Sequence, residues 1–150
     1  MGFAGRRSGQ VVVEMLLVLP VFLTIVFSIM EIGYVSFRLI VLNHATYEVA
    51  RIGGMTCGQA SSGACPQPNT AKLSSSMSQI LPGATVGCFA VPTLIDQQAN
   101  QQNCDLQCTA QEKITLVFPI SSFILSDKST PGQKMLTAKV AMPIERPLLQ

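Results

Sequence analysis

The stretch "RRSGQVVVEMLLVLP", residues 6–20, sets two arginines, a glycine and one glutamate against the start of the longest apolar run in the chain. From Val11 to Met30 every residue except Glu14, Pro20, Thr24 and Ser28 is strongly apolar. Wound as a helix at ~1.5 Å per residue, this run reaches roughly 30 Å, the thickness of a bilayer core. One membrane crossing fits, and no second run is long enough. The carboxylate of Glu14, four residues inside the apolar edge, is the feature that a plain membrane anchor does not explain.

Composition agrees with a membrane segment. The chain is 48% hydrophobic and 12% charged with no Trp, and its mean hydropathy of +0.40 is high for a soluble domain. A net charge of +2 with scattered Lys and Arg offers no basic stripe, so no nucleic-acid partner is expected. Arg6 and Arg7 precede the run, and the next basic residue is Arg38. The positive-inside bias therefore predicts a cytoplasmic N-terminus, with residues after about 35 exported. All five cysteines fall in the exported part, where an oxidising compartment lets them pair.

A secretory signal peptide would have a shorter apolar core and a small-residue cleavage site, and none follows Met30. A plain signal anchor leaves Glu14 unexplained, since a carboxylate near a helix centre costs on the order of 2 to 3 kcal/mol on insertion scales. A cut after Gly9 supplies the missing compensation. Gln10 then carries a new α-amino group one helical turn from Glu14. Opposite charges at ~4 Å under an effective dielectric near 20 attract by about 4 kcal/mol, whether the amine belongs to the same chain or to a neighbour. On this reading Gly9 and Gln10 flank the processing site, Arg6 and Arg7 are the leader charge, and Glu14 is a subunit-docking group.

A short basic leader, Gly at the cut, four apolar or neutral residues, Glu and then a long apolar helix resemble the class III signal of type IV prepilins and pseudopilins. Within that group, "GQVVVEMLLVLP", "MEIGYVSF" and "LNHATYEVARIGG" resemble the TadE-like pseudopilins of tight-adherence (Flp, type IVb) pilus systems. The matching positions are Gly9, Gln10, Val13, Glu14, Leu19, Pro20, Glu31, Gly33, Asn43, Ala45, Ala50 and Arg51. The resemblance covers residues 5 to 54, and Met15 departs from it where many such pilins carry an aromatic. It implies a minor pseudopilin that is not an enzyme and needs no cofactor. Its implied partners are a prepilin peptidase, other pilins and pseudopilins, and an inner-membrane assembly platform. The implied location is a single pass in a bacterial inner membrane, with the C-terminal domain periplasmic or extracellular. A second class stays open: a bitopic inner-membrane protein whose exported domain binds a ligand and never polymerises.

The helix is expected to leave the membrane and continue. Val35, Leu39, Leu42, Thr46 and Val49 recur at intervals of three and four, and Gly53-Gly54 reads as its C-cap. "MTCGQASSGACPQPN" then reads as an external loop, and Asn69 or Thr70 caps a short helix carrying Leu73, Met77, Ile80 and Leu81 up to Pro82-Gly83. "ATVGCFAV" is a short strand, and "DQQANQQNCDLQC" reads as an amide-rich loop pinned by its cysteines. Ile114, Leu116, Phe118 and Ile120 alternate with polar or smaller residues, as do Leu136, Ala138, Val140, Met142 and Ile144. They predict two antiparallel strands joined through Pro131-Gly132. The expected class is α+β: a leader at 1–9, a membrane-spanning and scaffold helix at 10–54, and an exported domain at 55–150 with a small antiparallel sheet on the helix.

Five cysteines with two bridges allow fifteen pairings. Proximity alone favours Cys57 with Cys65 and Cys104 with Cys108, leaving Cys88. Neither spaced C-x-x-C pairs nor clustered histidines are present for a metal site. His44 and Glu48 share a spacing that would suit a base and its orienter, but no nucleophile accompanies them, and a solvated stripe is the simpler reading. Asp96, Asp105 and Asp127 lie in separate polar stretches. Glu31 is expected as a water-exposed boundary residue, with Arg38 as a nearby partner.

Overall fold

The apolar run and the stretch behind it belong to one helix, α1 (Arg6–Thr56), which continues through Pro20. A computed structural model describes residues 6–57, 65–96, 101–118, 125–128 and 130–144. The expected loop residues 58–64 and 97–100, and the expected strand position Ile120, lie outside the described residues. After α1 come α2 (Thr70–Ile80), β1 (Ala84–Asp96), β2 (Gln101–Thr115) and β3 (Gln133–Pro143). The strands form one antiparallel sheet in the order β1-β2-β3, so the architecture is α+β as the sequence predicts. The chain divides into two units, Met1–Ser36 with Thr115–Lys134 and Phe37–Ile114 with Met135–Gln150.

In the second unit, Leu42, Ala45, Thr46, Val49 and Ala50 of α1 are buried at helical spacing. Thr46 hides its hydroxyl by donating to the Leu42 carbonyl at 2.6 Å. Gly53 and Gly54 are not the expected cap: both are buried inside α1. A Cβ on Gly53 would come within 2.5 Å of Leu106 Cδ2 and 3.2 Å of Leu73 Cδ1. The glycine therefore allows close approach of α1 to β2 and α2 rather than a left-handed turn.

Helix α2 starts where Asn69 Oδ1 accepts from the Lys72 N–H at 3.2 Å, one of the two caps expected. It packs on β1 and buries Leu73 and Met77, while Ile80 is exposed. Leu81 then accepts from the Ala84 N–H across Pro82-Gly83, and Gly83 has φ 97°. Proline followed by a positive-φ glycine is the pattern of a type II turn.

The amide-rich stretch around Cys104 and Cys108 is not a loop. It is the central strand β2, whose even-numbered side chains from Cys104 to Ile114 face inward and are buried. Across from it, Cys88 and Ala90 of β1 are buried. The β1–β2 register is interrupted between Pro92 and Leu94, where Pro92 faces Cys104 and Leu94 faces Asn103. The extra residue, Thr93, donates its hydroxyl to the Asn103 carbonyl at 3.2 Å. A bulge here agrees with a proline that has no N–H for the ladder. On β3, Leu136 and Ala138 are buried and Val140 and Met142 half-buried, with Thr137 and Lys139 outward as predicted.

That register overturns the expected disulfides. Cys88 lies directly opposite Cys108 and bonds to it, and Cys65 bonds to Cys104. Cys57 is the free thiol, so Cys88 is not the residue left over. Cys104 and Cys108 share one strand face four residues apart, about 13 Å along the strand, beyond the reach of a disulfide. Proximity in sequence misled because extended chain separates near neighbours and pairing brings distant ones together.

In the first unit, β2 ends at Thr115, short of the expected strand through Ile120. The Leu116 N–H donates to the Gly132 carbonyl at 2.9 Å. Gly132 has φ 78°, and the Gln133 N–H closes on the Thr130 carbonyl at 3.1 Å across Pro131-Gly132. This is a second proline–glycine turn of the same pattern. Lys134 Nζ reaches Asp127 Oδ1 at 2.9 Å beside it.

Candidate processing and docking segment

The first half of α1 carries the residues expected to act. Arg6 and Arg7 form its opening turn, and Gly9, Gln10 and Glu14 follow within the same helix. Gly9, Gln10 and Glu14 are exposed, and a Cβ at Gly9 would meet nothing within 4 Å. Glu14 and Gln10 are one helical turn apart on one face. The helix thus places the candidate cut and the candidate docking carboxylate about one turn apart, both at exposed positions.

Beyond Glu14, toward the C-terminus of α1, the helix surface is apolar on every side up to Leu19. Leu16, Leu17, Val18 and Leu19, a full turn of helix, are each more than half exposed. A helix that is apolar all round belongs in a membrane or a core, and the described residues supply no core for it. The most apolar stretch of α1 is left unburied by the described residues. Its few hydroxyls are internally satisfied: Thr24 donates to the Pro20 carbonyl and Ser28 to the Thr24 carbonyl, both at 2.8 Å. Such i−4 bonds remove most of the penalty for polar groups in lipid.

Two carboxylates that the sequence did not single out correctly are buried. Glu31 is only 3% exposed, contrary to its expected place at a water-exposed boundary. Its Oε1 accepts from the Val117 N–H at 2.6 Å and the Phe118 N–H at 3.4 Å. Nor is Arg38 its partner: Arg38 pairs with Glu112, the one acidic residue among the inward positions of β2. Both relationships join residues more than seventy positions apart, so no local sequence signal marks them. The alternating pattern of β2, with Glu112 in phase with Cys108 and Ala110, was the available clue for the second.

His44 is exposed, and Glu48 lies 4.0 Å from Arg51 instead of serving as an orienter for it. Asp127 is paired with Lys134. Among the described residues no group of three or more His, Cys, Asp or Glu side chains is arranged to hold a metal ion.

Residues 9–51 match the family model of TadE-like proteins, from the glycine of the candidate cut through the buried stripe of α1. Over this segment the chain is similar to TadE-like proteins. No curated protein and no solved structure matches it. The family match ends before α2 and the sheet, so that part of the chain rests on its own geometry alone. Among the described residues, one long apolar helix fits a single-pass membrane protein of a pilus system.

Proposed function

We propose that the chain is a TadE-like protein, a minor pseudopilin of a tight-adherence (Flp, type IVb) pilus or a related secretion system. A prepilin peptidase cuts it after Gly9, the retained helix holds it in the bacterial inner membrane with the sheet-bearing part exported, and it then packs against other pilins and pseudopilins on an inner-membrane assembly platform. The observation that carries this reading is the coincidence, in one helix, of the TadE-like match beginning at Gly9 and an apolar surface exposed on every side. In the membrane that surface meets lipid; in an assembled fibre it meets neighbouring helices.

Each residue then has a physical role. Gly9 presents a backbone with no side chain to the peptidase. Gln10 becomes the new amine, and Glu14 is the carboxylate that neutralises it within or between subunits. The role is structural, and no catalytic group or cofactor is assigned. The test is the intact mass and N-terminal sequence of protein extracted from membranes. Gln10 is expected as the first residue, with a Gly9→Leu variant remaining full length. An N-terminus at Met1, or beyond Met30, would overturn the processing step.

A further inference from the structure

The apolar run of α1 ends at Met30, which leaves Phe27 three residues inside it, roughly 5 Å at ~1.5 Å per residue. The ring of Phe118 is stacked on that of Phe27, with centroids 4.7 Å apart and planes within 8°. Two rings in face-to-face contact share one depth to within a ring's width, so a bilayer that surrounds Phe27 also reaches Phe118. Next to it Val117 is 77% exposed, more than any other large apolar side chain among the described residues. A scattered surface valine is ordinary; one fixed beside the end of a membrane span faces lipid.

Irregular backbone tolerates that setting only when its polar groups have partners. Here they do. The N–H of Leu116 donates to the Gly132 carbonyl, and those of Val117 and Phe118 both point to Glu31 Oε1. Glu31 stands one position past the apolar run, where a carboxylate would ordinarily turn to water; instead it is buried against the chain.

We infer that Val117 and Phe118 form a second membrane contact, seated in the leaflet at the C-terminal end of the span, and that Glu31 is the positioning residue that holds their backbone there. The occupant of the patch is the acyl and headgroup boundary of a lipid bilayer, continuous with the lipid around α1. The inference rests on the spanning reading of α1.

The test uses the full-length chain with Cys57→Ser, unreduced, carrying single cysteines at Val117, at the depth-matched helix position Ile29, or at the outward sheet position Thr137. Each is labelled with a polarity-sensitive fluorophore and reconstituted into phosphatidylcholine–phosphatidylglycerol vesicles whose acyl chains are brominated near the headgroup. Quenching at 117 is expected to match that at 29, with 137 unquenched. Glu31→Ala should bring 117 down to the level of 137 and leave 29 unchanged, whereas Glu31→Gln, which keeps an acceptor oxygen, should retain most of the quenching. Quenching at 29 but not at 117 overturns the inference and leaves the span intact. Quenching at neither position overturns the spanning reading and the inference with it. Cross-linking of 117 to a second copy without lipid quenching overturns it in favour of a protein contact. Quenching at 117 that survives Glu31→Ala removes Glu31 from the role.

Discussion

Glu112 illustrates how much one side chain can decide. It is 3% exposed, and its partner Arg38 retains about a quarter of its side-chain surface. Arg38 Nε and Glu112 Oε2 are buried without a hydrogen-bond partner among the described residues, so the pair is only partly satisfied. Removing one member strands the other, whereas removing both removes the desolvation problem as well. Glu112→Ala should therefore lower unfolding stability in detergent by roughly 2 kcal/mol, between the values for exposed and buried pairs. Arg38→Met combined with Glu112→Met should lose distinctly less. Chemical denaturation of the single and double variants checks this, and a double variant as unstable as the single would contradict it. Glu14 poses the opposite case, an exposed carboxylate at the start of the apolar run of α1. Glu14→Gln keeps the shape and removes the charge. The variant should be inserted and processed but should not co-purify with other pilus components or support piliation in a strain lacking the native copy. Full processing with normal piliation would shift the weight to a bitopic protein with an exported binding domain.

Among the elements, β2 organises the most. It carries Cys104, Cys108 and Glu112 on its inward face, and so anchors both disulfides and the Arg38 pair. Thiol labelling of unreduced protein should therefore mark a single residue, Cys57. Burial pushes that thiol above its ordinary pKa, so less thiolate is present near neutral pH and labelling should be slower than for an exposed cysteine, speeding up as pH rises. The folded protein holds this proton longer than the unfolded chain does. The thiol's contribution to stability is accordingly complete below the ordinary thiol range and falls as pH climbs through it. Mass spectrometry that finds labels on Cys88 or Cys104 without reductant would contradict the pairing. The helices were legible because their signals are local: an unbroken apolar run for α1, and Asn69 followed by Leu73 and Met77 for α2. The strand β3 was legible because strong apolar residues alternate with Thr and Lys. The strand β2 was hidden because its inward positions are Cys, Ala and Glu, weakly apolar or charged, and its outward ones are amides that also suit loops. The candidate cut and the docking role of Glu14 are readings of spacing and charge in the sequence. The partners of Glu31 could not be read there, because its hydrogen-bond donors are Val117 and Phe118, just past the end of β2 and more than eighty positions away.

At the scale of the molecule, apolar surface is used in two ways. In the second unit, Leu42, Leu73, Met77, Leu106 and Leu136 are hidden in a small core. In the first, most apolar side chains of α1 from Val11 to Met30 are exposed among the described residues. A core this small supplies limited stability, and covalent staples contribute where packing is thin. Chain-entropy estimates for links spanning 20 and 39 residues are about 3 and about 4 kcal/mol. Reduction should thus loosen the second unit while leaving membrane retention by α1 unaffected. Far-UV helicity that persists while the sheet signal is lost would report that division.

The two disulfides also interlock: Cys88 lies between Cys65 and Cys104, and Cys108 lies beyond Cys104. Under mechanical tension this changes how far the chain can stretch. Unlinked, the 43 positions from Cys65 to Cys108 would extend to roughly 150 Å at ~3.5 Å per residue. With the links closed, the shortest covalent path runs across the Cys65–Cys104 bridge and then along four residues, about 14 Å of chain plus the bridge. A pulling measurement on the oxidised protein should lack well over 100 Å of the extension that the reduced protein releases. A subunit with this wiring can lose its fold under load without paying out much slack.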